Sequence, residues 1–191
     1  MTTNRLEAFS DGVLAIIITI MVLEMKVPEG ADFAVLKPLF PKFISYLLSF
    51  IYVGIYWNNH HHLFHVIEKV SGKILWANLF LLFCLSLIPF STGWMGENHF
   101  DKNPVALYGI NLFLCALAFI ILEKSSIHYE GESSKLKLAL KNYNKEYASL
   151  VLYFIGILIS YYFPMFSTIL YAIVALVWLI PDTRIEKTLN S

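Results

Sequence analysis

Charge is scarce in this sequence. Only 15% of its 191 residues are Asp, Glu, Lys or Arg, against roughly 25% in a soluble globular chain. Acids and bases cancel to a formal net charge of zero, so bulk charge gives no reason to expect a nucleic-acid partner or an acidic substrate. Cysteine is scarcer still. Cys84 and Cys115 each lie inside an apolar run, and two distant thiols make neither a disulfide framework nor a thiolate metal site. They read as reduced, buried thiols. The first apolar run is long and lacks a small-residue cleavage site, so a removable signal peptide is not expected. No internal repeat is evident.

Apolar residues fill the space that charge leaves. They make up 58% of the chain and aromatics 16%, with Tyr and Trp near the ends of apolar runs, as in the aromatic belts of membrane proteins. The expected class is an all-α membrane protein with about six transmembrane helices, each needing about 20 mostly apolar residues. The runs fall at approximately 6–25, 42–64, 74–95, 105–122, 147–162 and 165–180, and 1–191 reads as a single domain. Pro28, Glu29, Gly30 and Asp32 mark a loop after the first run, and Pro104 suits the first turn of the fourth helix. The segment from Glu123 to Glu146 is polar and reads as a surface loop or an interfacial helix. Pro164 divides the last apolar stretch, which is either two short helices with a turn at Tyr162–Phe166 or one kinked helix.

Six spans put Arg5, Lys69, Lys73, Lys124, Lys135, Lys137, Lys141, Lys145, Arg184 and Lys187 on one side. Lys26, Lys37, Lys42 and Lys102 fall on the other. That asymmetry places both termini in the cytoplasm by the positive-inside rule.

The first run opens Arg5-Leu6-Glu7-Ala8-Phe9-Ser10-Asp11-Gly12. Ionisable groups at the edge of a span either carry function or simply start the helix, with Ser10 or Asp11 as cap and Arg5 reaching to headgroups. At 100° per residue, Gly12, Ile16, Thr19 and Leu23 share a stripe about 60° wide, and Asp11 points roughly 140° from Ile16. Such a stripe can line a narrow axis, with Thr19 offering hydroxyls to a cation between apolar rings. It can equally be a helix-packing face, with the Thr19 hydroxyl bonded to its own backbone.

The pattern R-x-x-x-F-S-D followed by G-V-L-A-I-I-I-T-I-M-V-L-E closely resembles the first helix of the transmembrane protein 175 family of potassium-permeable channels. The six-helix layout and Trp57-Asn58-Asn59-His60 at the end of the second run support the resemblance. It implies a channel without a re-entrant filter loop, in which the first helices of a homotetramer line a central pore in a lipid bilayer. By position, Ile16 becomes the apolar constriction, Thr19 the hydroxyl ring linked to selectivity and Leu23 a further apolar ring. Arg5, Phe9, Ser10 and Asp11 become the motif that holds the first helix, with His60 and Trp76 as its partners. The expected function is a cation channel with modest preference for K+ over Na+, not an enzyme, needing no cofactor beyond permeant K+. A chain with one copy of the motif fits a bacterial cell membrane. The sequence carries neither a T-V-G-Y-G filter nor an arginine-repeat voltage sensor.

Two other readings remain. His60, His61, His62 and His65 could hold a metal, yet only His61 and His65 share a helical face and no Glu follows His61 as a zincin requires. A proton- or cation-coupled secondary transporter could use Asp11 as a relay, but such carriers show inverted repeats and interrupted helices.

Overall fold

The computed structural model describes residues 3–67, 69–131, 134, 136–137 and 143–179. Lys135, Lys141, Arg184 and Lys187, which enter the charge asymmetry, lie outside them, as does Ile180. Among the described residues seven α-helices make up six helical segments. These are α1 (Thr3–Leu23), α2 (Phe40–Val66), α3 (Gly72–Ser86) continued by α4 (Ile88–Glu97), α5 (Lys102–Glu130), α6 (Asn144–Ser160) and α7 (Pro164–Leu179). A 3-10 turn at Phe33–Leu39 leads into α2, and Asp32 caps it by accepting from the Ala34 amide. The stretches 3–23, 33–66, 72–97 and 102–130 are long and apolar enough to cross a membrane. With 17 and 16 residues, α6 and α7 are shorter, each about 25 Å at 1.5 Å per residue.

Two sequence readings change. The third run is broken in two, because Pro89 has no N–H to return to the preceding turn and its ring crowds the carbonyl four residues back. The break leaves little backbone unpaired: the Leu87 amide donates to Cys84 O and the Ser91 amide to Leu87 O. Second, α5 outruns its apolar stretch. Nothing between Glu123 and Glu130 breaks a helix, and the chain turns only at Gly131, whose φ of +100° favours a residue without a side chain. Glu123 is consequently buried within the bundle instead of lying in a surface loop or an interfacial helix. The last apolar stretch is two helices, the first of the two forms expected from the sequence, with the turn at Tyr161–Phe163.

α1 packs on α2, α3 and α4, whereas α5 joins α3 and α4 to α6 and α7. The core is apolar but crossed by short hydroxyl contacts. Ser49 meets Thr92 at 2.6 Å and Tyr108 at 3.0 Å, and Tyr52 donates to the Tyr171 carbonyl at 2.6 Å. Such bonds hold helices together where lipid removes the usual hydrophobic drive between them. Lys42 at the start of α2 and Glu97 at the end of α4 form a 2.9 Å ion pair.

Tyr171 sets how closely α5, α6 and α7 approach. Its ring lies against the bare backbones of Gly109 and Gly156, and a Cβ at either site would run into the ring or its hydroxyl. Gly156→Ala is expected to destabilise the subunit by about 1–3 kcal/mol, the usual cost of overpacking. The same change at Gly12, where a Cβ meets nothing within 4 Å, should leave the melting temperature in detergent unchanged.

Candidate functional site

The helical period divides α1 into two faces. Leu6, Ser10, Leu14, Ile17 and Met21 are buried against the other helices. Opposite them Ile16 is 58% and Leu23 78% exposed, and Gly12 and Thr19 are exposed as well. The Thr19 hydroxyl donates to Ile16 O at 2.8 Å. Its proton is therefore held by its own helix, which leaves the oxygen of this exposed residue free to accept. Phe9, 53% exposed, and exposed Arg5 extend the same stripe toward the N-terminus. Arg5, Phe9, Gly12, Ile16, Thr19 and Leu23 follow one another at steps of four and three, the spacing of a seam that meets other helices with a left-handed supercoil.

Ser10 and Asp11 face away from the stripe, into two separate sets of contacts. The first is buried. Ser10 Oγ donates to Leu6 O at 2.8 Å, the Asn78 amide donates to Ser10 Oγ at 3.0 Å, and His60 Nε2 lies 2.8 Å from Asn78 Oδ1. The proton positions follow from these partners. Ser10 spends its only proton on Leu6 O, so it must accept from Asn78. Asn78 then presents its NH2 to Ser10 and its oxygen to the ring, which makes His60 Nε2 a donor. Ser10, Asn78 and His60 are all within 2% of fully buried, so the chain pins α1 to α2 and α3 simultaneously.

The second set is a two-rung ladder between α1 and α2. Trp57 Nε1 donates to Asp11 Oδ1 at 3.0 Å, and His61 Nδ1 lies 3.4 Å from Glu7 Oε1. Asp11 and Glu7 are one turn apart on α1, as are Trp57 and His61 on α2, so both rungs keep the same antiparallel register.

Of the residues named from sequence, the structure brings Ser10 and His60 into one network through Asn78, and it sets Asp11 beside Trp57. Ile16, Thr19 and Leu23 share one open face. Trp76 is not brought to the motif within the subunit: it is 76% exposed and faces a groove toward α5. The indole on Asp11 is Trp57 instead. Asn78, Glu7 and His61 were missed. Asn78 is a lone amide in the third apolar run, where a polar residue is costly enough to signal a partner. Among the described residues no group of three or more His, Cys, Asp or Glu side chains could hold a metal ion. His61 and His65 do lie side by side on α2, with ring centroids 6.1 Å apart.

Comparison with known proteins gives a consistent picture. A family model described as "Endosomal/lysosomal potassium channel TMEM175" matches residues 5–89. A protein called a potassium channel in Chryseobacterium sp. strain P1-3 is 61% identical over 190 residues, covering 100% of this chain and 99% of that one. A Danio rerio protein called the endosomal/lysosomal proton channel TMEM175 is 30% identical over 125 residues, covering 63% of this chain and 23% of its own length. The crystal structure of a lysosomal potassium-selective channel TMEM175 homologue from Chamaesiphon minutus superposes with a TM-score of 0.79 at 25% identity. That match covers 94% of this chain and 97% of the other.

Proposed function

Because the chain belongs to the TMEM175 channel family, we propose that it is a potassium-permeable channel in which four copies of α1 surround a pore. The observation that carries this reading is the division of α1. One face is buried and pinned by the Ser10–Asn78–His60 chain, while Gly12, Ile16, Thr19 and Leu23 stand exposed along the other. One such stripe cannot enclose an axis, so the pore requires a homotetramer, with closed symmetry repeating each side chain around it. The whole chain then acts as a single six-helix channel domain in a lipid bilayer.

Ile16 forms the apolar constriction and Leu23 a second ring two helical turns further along the seam. Thr19, between them, offers four outward hydroxyl oxygens to a dehydrating cation. Selection by one hydroxyl ring instead of a queue of carbonyls gives a modest preference for K+ over Na+. Arg5, Phe9, Ser10 and Asp11 hold the N-terminal end of α1 in place. No cofactor enters the reading beyond the permeant ion. The chain is a multi-pass membrane protein, placed here in the bacterial cell membrane with both termini cytoplasmic on the lysine and arginine asymmetry of its loops.

Purified protein in liposomes under a bi-ionic K+/Na+ gradient tests the reading. Wild type is expected to show a K+-biased reversal potential that collapses toward zero in Thr19→Ala. Undiminished selectivity in the variant would remove Thr19 from the filter. Uptake coupled to a second cation, with no passive current, would favour a secondary transporter.

A further inference from the structure

An open groove of about 940 Å3 lies between the N-terminal half of α3 and the C-terminal half of α5. The two helices run antiparallel along it. Lys73 and His128 stand at one end, and Phe80 and Ile121 stand seven residues away at the other, about 10 Å along the helices. Chemistry divides the groove at the same place. One end carries the Lys73 ammonium, the His128 imidazole and the Ser125 hydroxyl, whereas Trp76, Phe80 and Ile121 make an apolar floor toward the other. Trp76 is 76% exposed, Ile121 40% and Phe80 39%. Lys73 makes no ion pair among the described residues. Glu130, at the C-terminal end of α5, accepts from the Lys69 amide at 3.4 Å.

A cationic, hydroxyl-bearing end continued by an aromatic trough that enters the hydrocarbon matches one kind of molecule: an anionic head on an acyl chain. A soluble anion would leave the trough empty, and a neutral lipid would leave Lys73 without a counter-charge. We propose that the α3–α5 groove binds an anionic phospholipid of the cytoplasmic leaflet, with its phosphate at Lys73, His128 and Ser125 and an acyl chain over Trp76, Phe80 and Ile121. Basic pockets between transmembrane helices on the cytoplasmic side are suited to such headgroups. An indole between the polar end and the apolar floor suits the boundary between headgroup and acyl chain, where an amphipathic ring is most stable. The leaflet assignment rests on the orientation given under the proposed function, but lipid binding itself does not.

Native mass spectrometry of the intact oligomer tests the proposal. Protein is released from nanodiscs holding equal amounts of phosphatidylglycerol and phosphatidylcholine, and the retained lipids are counted. Wild type is expected to retain phosphatidylglycerol preferentially, up to one per subunit. Lys73→Gln should lower that retention about fivefold, the effect of one cation near an anionic surface, without changing the oligomer's mass. Trp76→Ala should lower retention of both lipids. Equal retention of the two lipids by wild type, or wild-type retention by Lys73→Gln, overturns the proposal. So does displacement of the lipid by millimolar glycerol phosphate, which would mark a site for a soluble anion. Dissociation of the Lys73→Gln oligomer also overturns it, since the groove would then be an interface between subunits. The readout needs no ion flux and no defined orientation. A protein that retains the lipid but passes no current would leave this site standing while the channel reading fell.

Discussion

Replacing Asn78 with leucine is expected to cost the subunit about 2–4 kcal/mol and to abolish a stable pore. Leucine fills nearly the same volume, so little of the loss comes from a cavity. It comes from the two groups left behind. His60 Nε2 loses its acceptor and Ser10 Oγ loses its donor, in a site where neither residue is more than 2% exposed and lipid offers no water in exchange. A buried polar group left unsatisfied costs about 1–3 kcal/mol. Measured hydrogen bonds inside membrane proteins average less, about 0.6 kcal/mol, because the unfolded chain in the bilayer also finds partners. The upper figure therefore requires both ends to be stranded. A double-mutant cycle separates the contributions. Ser10→Ala removes the acceptor that Asn78 serves, so Asn78→Leu should cost less in that background, and strictly additive losses would mean the three side chains do not act as a unit. Thermal unfolding in detergent gives the stability, and liposome flux gives the pore. Unchanged melting in Asn78→Leu would show that α1 is held by its apolar face alone.

Much of the architecture was legible in the sequence because a bilayer imposes long apolar runs and a visible helical period. The α1 stripe is a case in point. Spacing alone put Gly12, Ile16, Thr19 and Leu23 on one face, and all four lie exposed together. What spacing could not say is which face of α1 looks inward. Every position from Val13 to Leu23 except Thr19 is apolar, so hydrophobicity does not separate core from pore. The separation comes from contacts between helices far apart in the chain, such as Asn78 on Ser10, and one sequence carries no sign of those. The same limit applies to the indole that meets the motif, where the resemblance implies Trp76. Trp76 lies four residues into α3 and Trp57 nine residues before the end of α2, and only the α1–α2 register shows that Trp57 reaches Asp11. Pro89 is different, because its missing donor was written in the sequence. It was masked by the apolar run around it, which reads as one span on composition even though the helix must restart.

Ile16→Ala is expected to raise unitary conductance several-fold and to weaken discrimination between K+ and Na+, while leaving subunit stability within about 0.5 kcal/mol of wild type. The two readouts together decide between a pore face and a packing face. If Ile16 packs against a neighbouring helix, truncation removes buried carbon atoms and costs about 2–5 kcal/mol. If it projects into an aqueous axis, truncation behaves as an exposed substitution and costs little. Within the subunit Ile16 is 58% exposed and Gly12, one turn earlier on the seam, has open space where its Cβ would be. Four isoleucines about an axis make a ring that an ion crosses only after shedding most of its water, and such a ring also shuts by dewetting. Four alanines would hold water and pass the ion hydrated, which raises flux and removes the contact through which Thr19 discriminates. Ile16→Leu preserves volume and should stay close to wild type in both readouts. The pairing with Thr19→Ala is informative because the two changes should separate: loss of the hydroxyl ring should cost selectivity with little gain in conductance, whereas loss of the apolar ring should change both. Single-channel recording with melting curves on the same preparations checks this. Destabilised Ile16→Ala oligomers with unaltered conductance would move the constriction away from Ile16 and return the stripe to a packing role.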